Sequence, residues 1–264
     1  MDDRIIYIVC HDDTSERIAQ EDFDRYSWAR IYRIPSKNQS HLMEGVMYST
    51  ELMSVYHEWK DKKYVGILSY KLSERFKEGC RLYPNSIKQY DEVIRNANDK
   101  IHCVVAFMAY FSSGVDSLPG LRGILTDTCK KVGIKIEYTT PTLFKFMNKP
   151  QIKSILDTSS FIFHNYWMTT PSIMLDYINF FSNVWLPILE TNQNVWKDSS
   201  YIACVSYDRP INVKENMLKL TGGRTDYLPF HAFVNERLPR LFFLKQNILV
   251  WFVEDSSLHF KFLK

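Results

Sequence analysis

Residues 4–10, RIIYIVC, form an unbroken apolar run rich in β-branched side chains, and the polar stretch HDDTSE follows at once. A strand with one wet face alternates apolar and polar residues, whereas a run with no alternation must be covered on both faces. The chain is therefore expected to build a mostly parallel central sheet flanked by helices, an α/β fold. In open sheets of this kind ligands collect beyond the carboxyl ends of the strands. His11, Asp12, Asp13 and Thr14 stand at such an end, with Ser15 beside them. The same residues have a plainer use, because Asp13, Thr14 or Ser15 would cap a following helix.

Farther along, Leu42, Val46, Met53 and Tyr56 recur at helical spacing and predict a helix over 42–59 that leads into a strand over 64–70. A second buried strand is read at IHCVVAFM (101–108), followed by a Gly- and Pro-punctuated loop. LRGILTDTCKKVG reads as a helix ended by Gly133. IKIEYTT reads as a short strand, and LFKFMNKPQIKSIL as a helix broken near Pro150. SFIFHNYWMTT (160–170) is strand-like; after it Thr170 can cap, Pro171 suits a first turn, and Met174, Tyr177, Ile178, Phe181, Val184, Trp185 and Ile188 trace one helical face. In the last third TGGRTDYLPF reads as a loop, HAFVNERLPRLFFL as a helix bent at Pro239, and NILVWFVED as a final strand. Strands and helices alternate without repeat or linker, so residues 1–264 are expected to form a single domain. Its core is ample at this length.

Charge narrows the partners. Lys and Arg are interspersed with Asp and Glu for a net charge of +3, without the concentrated basic face of a nucleic-acid binder. No C-x-x-C relates Cys10, Cys80, Cys103, Cys129 and Cys204, and their odd number and wide spacing fit a reducing compartment. MDDRIIYIVC lacks the plan of a signal peptide, and IMLDYINFFSNVWLPIL is interrupted by Asp176, Asn179 and Asn183, so it reads as amphipathic rather than membrane-spanning. A cytoplasmic protein with no transmembrane segment is expected. G-x-G-x-x-G, the P-loop, G-x-S-x-G and H-E-x-x-H are all missing. With nine glycines, a phosphate site lined by side chains is favoured over one lined by backbone. What stands out is four polar clusters, HDDTS, SYKLSER, HNYW and FHAFVNER, each placed at or near the end of an apolar element. Clusters so placed, from distant parts of the chain, point to one shared cleft.

Three segments carry a resemblance. YHEWKDKKYVGILSYKLSERF resembles a segment of nucleotide-sugar-dependent glycosyltransferases, in which a helix with a Trp-containing polar end precedes a strand of the form Y-x-G-[FIL]-x-x-Y-[KR]. HNYWMTTPSIMLDYINF resembles their later Asn-Tyr-aromatic segment, and FHAFVNERLPRLFF is similar to their [AG]-F-x-x-E-R-L element. Such proteins occur in bacterial polysaccharide clusters and in large DNA viruses that glycosylate their own capsids. The motifs cover about a quarter of the chain and fall in the family's order.

The resemblance implies a GT-A-like, Rossmann-type domain, with residues 1–110 on the nucleotide side and 111–264 on the acceptor side. The implied activity moves a sugar, a deoxyhexose such as rhamnose if the viral likeness is the nearer one, from a nucleoside diphosphate, UDP first, to a glycan hydroxyl. A viral member would work in the host cytoplasm. The alternative is a catalytically inactive relative that binds carbohydrate or serves as a scaffold. Glu236, carried over from E-R-L, is the first choice of base, with Asp13 and Asp12 next. Donor contacts fall to His11, Asp12, Thr14, Tyr70, Lys71, Arg75, Asn165, Tyr166, His231 and Arg237. In GT-A enzymes an Asp-x-Asp that follows a central strand usually holds a divalent metal; the one such triplet here, Asp22-Phe23-Asp24, does not directly follow any strand read above. No metal ligand is assigned, and Lys71 and Arg75 are expected to meet the diphosphate instead.

Overall fold

The computed structural model describes residues 2–35, 45–72, 87–97, 103–106, 109–111, 160–162, 166–187, 200–201, 228–229, 238–246, 248–253 and 260–263. Their strands are β1 (Arg4–Cys10), β2 (Ala29–Arg33), β3 (Tyr64–Ser69), β4 (Cys103–Ala106), β5 (Ala109–Phe111), β6 (Ser160–Ile162), β7 (Trp167–Thr169), β8 (Ser200–Tyr201), β9 (Leu228–Pro229), β10 (Leu249–Val253) and β11 (Phe260–Leu263). Seven of them form one sheet in the order β11-β10-β4-β7-β3-β1-β2. β1, β2, β3, β4 and β10 run the same way, while β7 and β11 run against them. The expected mostly parallel α/β sheet is present, and it is mixed. The β5–β6 and β8–β9 pairs are small separate antiparallel ladders.

The apolar run of β1 is covered on both faces. Ile5 and Tyr7 join one buried cluster, built with the helical segments around 45–59, 171–185 and 238–243. Ile6, Ile8 and Cys10 join another, with α1 (Asp13–Phe23) and the Ile87–Asn96 helix. Odd and even residues pointing opposite ways is the strand period itself. Gly66 in β3 is fixed by the same packing, because its register partner is Met168 of β7. A Cβ at Gly66 would lie 2.6 Å from Met168 Cβ and 2.7 Å from the Trp167 carbonyl oxygen. The glycine of the Y-x-G motif thus serves close strand approach.

Several elements differ from their sequence reading. The helix read over 42–59 is interrupted within its described part: a π-helical turn, Met47–Glu51, passes into Leu52–Ser54, and Val55 (φ −111°, ψ 20°) breaks the chain before Tyr56–Trp59. The Trp59 indole N–H donates to the Leu52 carbonyl at 2.8 Å, satisfying a group at that break. The run 160–170 holds two strands, β6 and β7, which belong to different sheets. The Pro171–Phe180 helix begins as expected, with Thr170 as its cap and Pro171 in the first turn, and passes into a second π turn, Phe181–Trp185. The two π turns meet, and the Ser182 hydroxyl donates to the Tyr48 carbonyl at 3.3 Å. Of the helix read over 231–244 the structure describes the part within Leu238–Lys245, and the residues before Pro239 that would show a bend lie, apart from Leu238, outside the described residues. NILVWFVED is not the last strand, since β11 follows and pairs with β10. β2 and the Ile87–Asn96 helix have no counterpart in the sequence reading. The helices expected within 121–133 and 143–156 and the strand at 134–140 lie outside the described residues. Among the described residues no helix is long and apolar enough to cross a membrane.

Candidate functional site

β1 and β3 are parallel neighbours with Val9 opposite Ser69. That register carries two sequence-distant clusters, His11–Asp12 and Tyr70–Lys71, to the same carboxyl edge. The rings of His11 and Tyr70 meet edge-on with centroids 5.3 Å apart, and Lys71 Nζ lies over the Tyr70 ring at 5.7 Å from its centroid. Antiparallel pairing of Ile67 with Trp167 places Tyr166 one residue farther toward this edge. Tyr166 shares a buried cluster with Tyr70, Cys10 and Leu72. Tyr70 and Tyr166 are 8% and 5% exposed, so neither ring offers an open face to a sugar or base. Burial leaves the Tyr166 ring little surface for the donor contact expected of it.

The turn from β1 into α1 is tied to itself. The buried Ser15 hydroxyl accepts from the His11 and Asp12 backbone N–H groups at 3.0 and 2.9 Å. The Asp12 carboxylate accepts from the Ser15 N–H at 2.7 Å, completing a capping box. The cap is therefore Asp12, and Ser15 is its reciprocal partner; Asp13 and Thr14 are exposed residues of the first turn. Successive amides of a strand–helix turn, and the helix N-terminus itself, commonly cradle phosphate. Here the His11 and Asp12 amides are consumed inward, and the helix start already carries the Asp12, Asp13 and Glu16 carboxylates. The His11 and Asp12 amides are thus not offered to an anion at this edge, which puts more weight on side chains.

Burial holds the His11 imidazole below its ordinary range; the Asp12 carboxylate, 3.6 Å away, pulls the other way, and Lys71 adds to the lowering. Near neutral pH His11 is therefore an uncharged donor and acceptor. Burial alone would raise Asp12, but hydrogen bonds from Ser15 and the charges of His11 and Arg33 hold it below the usual carboxylate value. A carboxylate so stabilised is a weak proton acceptor, which argues against Asp12 as the base. The Cys10 thiol is pushed up to about 12 by burial, with Glu16 and Asp12 adding, so it is no nucleophile.

Asp13 is 91% exposed and lies 2.5 Å from Arg33 Nη1, which also reaches Glu16 at 3.2 Å. It is an ion-pair partner on the outer side of α1. Arg33, which ends β2, was not among the expected site residues; its register partner is Cys10, next to His11. Glu236, Arg75, Asn165, His231 and Arg237 lie outside the described residues. Among the described residues no group of three His, Cys, Asp or Glu side chains is arranged to hold a metal ion.

Compared with family models, with curated proteins and with solved structures, the chain matches none. The functional reading therefore rests on its residues and their geometry.

Proposed function

We propose that the chain is a glycosyltransferase of GT-A-like, single-domain architecture, which moves a sugar from a nucleoside diphosphate, UDP first among them, to a glycan hydroxyl. The supporting observation is the meeting of His11 and Lys71 around Tyr70 at the carboxyl edge of β1 and β3, beside a turn whose His11 and Asp12 amides are bonded inward. As the glycosidic bond breaks, negative charge builds on the leaving diphosphate, and a fixed cation there lowers the barrier most. Lys71 supplies that cation and the neutral His11 a hydrogen bond, with Arg75, His231 and Arg237 in support. Glu236 takes the proton of the acceptor hydroxyl, and Asn165 orients the sugar. These last five roles follow from the motif resemblance, as does a cytoplasmic site of action.

Titration calorimetry with UDP- and GDP-sugars, followed by assay of released nucleotide, tests the reading. Binding of one donor with slow nucleotide release, accelerated by a glycan acceptor, is the expected result. Binding without release under any acceptor would make the chain an inactive carbohydrate-binding relative. Neither heat nor release across the panel would remove the reading altogether, and binding of S-adenosylmethionine would replace it with methyl transfer.

A further inference from the structure

Tyr70 was expected among the donor contacts, yet its ring is 8% exposed and packs with Leu72, Tyr166 and Met168. A ring so placed has little surface left for a ligand. What it does touch is the pair of groups that have been given to the ligand. His11 meets it edge-on, and the Lys71 ammonium lies within cation–π range of it. A lysine is ordinarily a flexible four-carbon stem that loses rotamer freedom when it binds. Held over a buried ring, Lys71 has lost part of that freedom in advance. His11 is fixed from two sides, its backbone by the Ser15 hydroxyl and its ring by Tyr70.

We propose that Tyr70 is a positioning residue, a buried platform that holds His11 and Lys71 as one pre-formed unit for the two phosphates of the donor. The ligand half of this statement rests on the function proposed above; the platform half does not. A diphosphate can present one phosphate to each of the two groups set on the ring. The charged and titratable groups that face His11 include Asp12 on its own turn and Tyr70 and Lys71 from the end of β3.

The test uses the full chain, with UDP and UMP as probes and nuclear magnetic resonance of His11 and Lys71 as the structural readout. In the unsubstituted protein the Lys71 ε-methylene protons are expected upfield of their ordinary position, and the His11 ring protons displaced from theirs, by the Tyr70 ring. Ordinary shifts at both would overturn the platform with no variant needed. Tyr70→Leu is expected to raise the His11 titration toward its ordinary range, because water and distance replace the ring. The same change is expected to weaken UDP binding about tenfold, or about 1.4 kcal/mol, while UMP binding changes less. Tyr70→Phe, which keeps the ring, is expected to restore both the titration and most of the affinity. An unmoved His11 titration in Tyr70→Leu would refute the platform. An altered titration in a protein that binds no nucleotide would uphold the platform and refute the donor reading.

Discussion

Gly66→Ala is the sharpest test of how the sheet is assembled. The added methyl would meet Met168 Cβ at 2.6 Å, the Trp167 carbonyl oxygen at 2.7 Å and Ile6 Cδ1 at 2.9 Å. The Ile6 methyl is the end of a flexible side chain and can turn away. The other two atoms are backbone or attached directly to it, so only a shift of β7 relieves them. Carbon atoms pack best at about 3.5–4.0 Å, so the shift needed is about 1 Å. Trp167 and Met168 are fully buried, and such a displacement inside a close-packed interior belongs at the upper end of overpacking costs, about 3 kcal/mol. With a urea dependence of about 3 kcal/mol per molar, the unfolding midpoint should fall by about 1 M. Equilibrium urea unfolding followed by tryptophan fluorescence measures this directly. The shift would also carry Tyr166, so donor binding should weaken in the fraction that remains folded. A midpoint within about 0.2 M of the parent would refute the close β3–β7 approach as the reason for the glycine.

Three further outcomes are expected. Lys71→Ala should weaken UDP binding by about ten- to a hundredfold, the worth of a charge-assisted contact, and flatten its salt dependence in calorimetry; unchanged affinity would remove Lys71 from the site. Asp12 has a folded-state pKa below its ordinary 3.8, so its stabilising contribution is complete above 3.8 and is lost as pH falls from there through the lowered folded-state value. Asp12→Asn keeps a cap that cannot ionise, so its thermal stability should decline less steeply into acid, and an identical acid limb would contradict the assignment. The Trp28 indole donates to Asp91 at 2.7 Å, an acceptor shared with Arg95. Trp28→Phe should cost at least about 1–2 kcal/mol, and a double-mutant cycle with Asp91→Ala, which removes the acceptor, should show the hydrogen bond as coupling of about 1 kcal/mol.

The parts of the fold that were legible are those where burial leaves a local mark. β1 and β3 announce themselves through apolar runs, and the Pro171–Phe180 helix through Thr170, Pro171 and a regular apolar face. β2 was missed because ARIYR lies at the rim of the sheet, half covered, with arginines that blur its alternation. β6 and β7 were merged because a run of strand-forming residues says nothing about which partner each half will choose. The interruption in 45–59 was invisible because its apolar stripe is wide enough to suit several helical pitches. The site divides in the same way. His11 and Lys71 were legible singly as polar residues at strand ends. Their meeting was not, because it depends on β1 and β3 lying side by side in one register. The inward use of the His11 and Asp12 amides depends on where a single hydroxyl points, and composition carries no trace of it.

The antiparallel β7 sits between β3 and β4, both of which precede it in the chain. The middle of the sheet is thus stitched by a late arrival. About a hundred residues part Gly66 from Met168, and at 5–20 residues per second the ribosome needs roughly 5–20 s to supply the second after the first. Throughout that interval β3 presents an unpaired inner edge of Tyr64, Val65, Ile67 and Leu68, residues as prone to find a neighbouring chain as their own partner. The nascent protein must wait for its own centre, and its yield in a cell will be set as much by what shelters that edge as by the stability of the finished sheet.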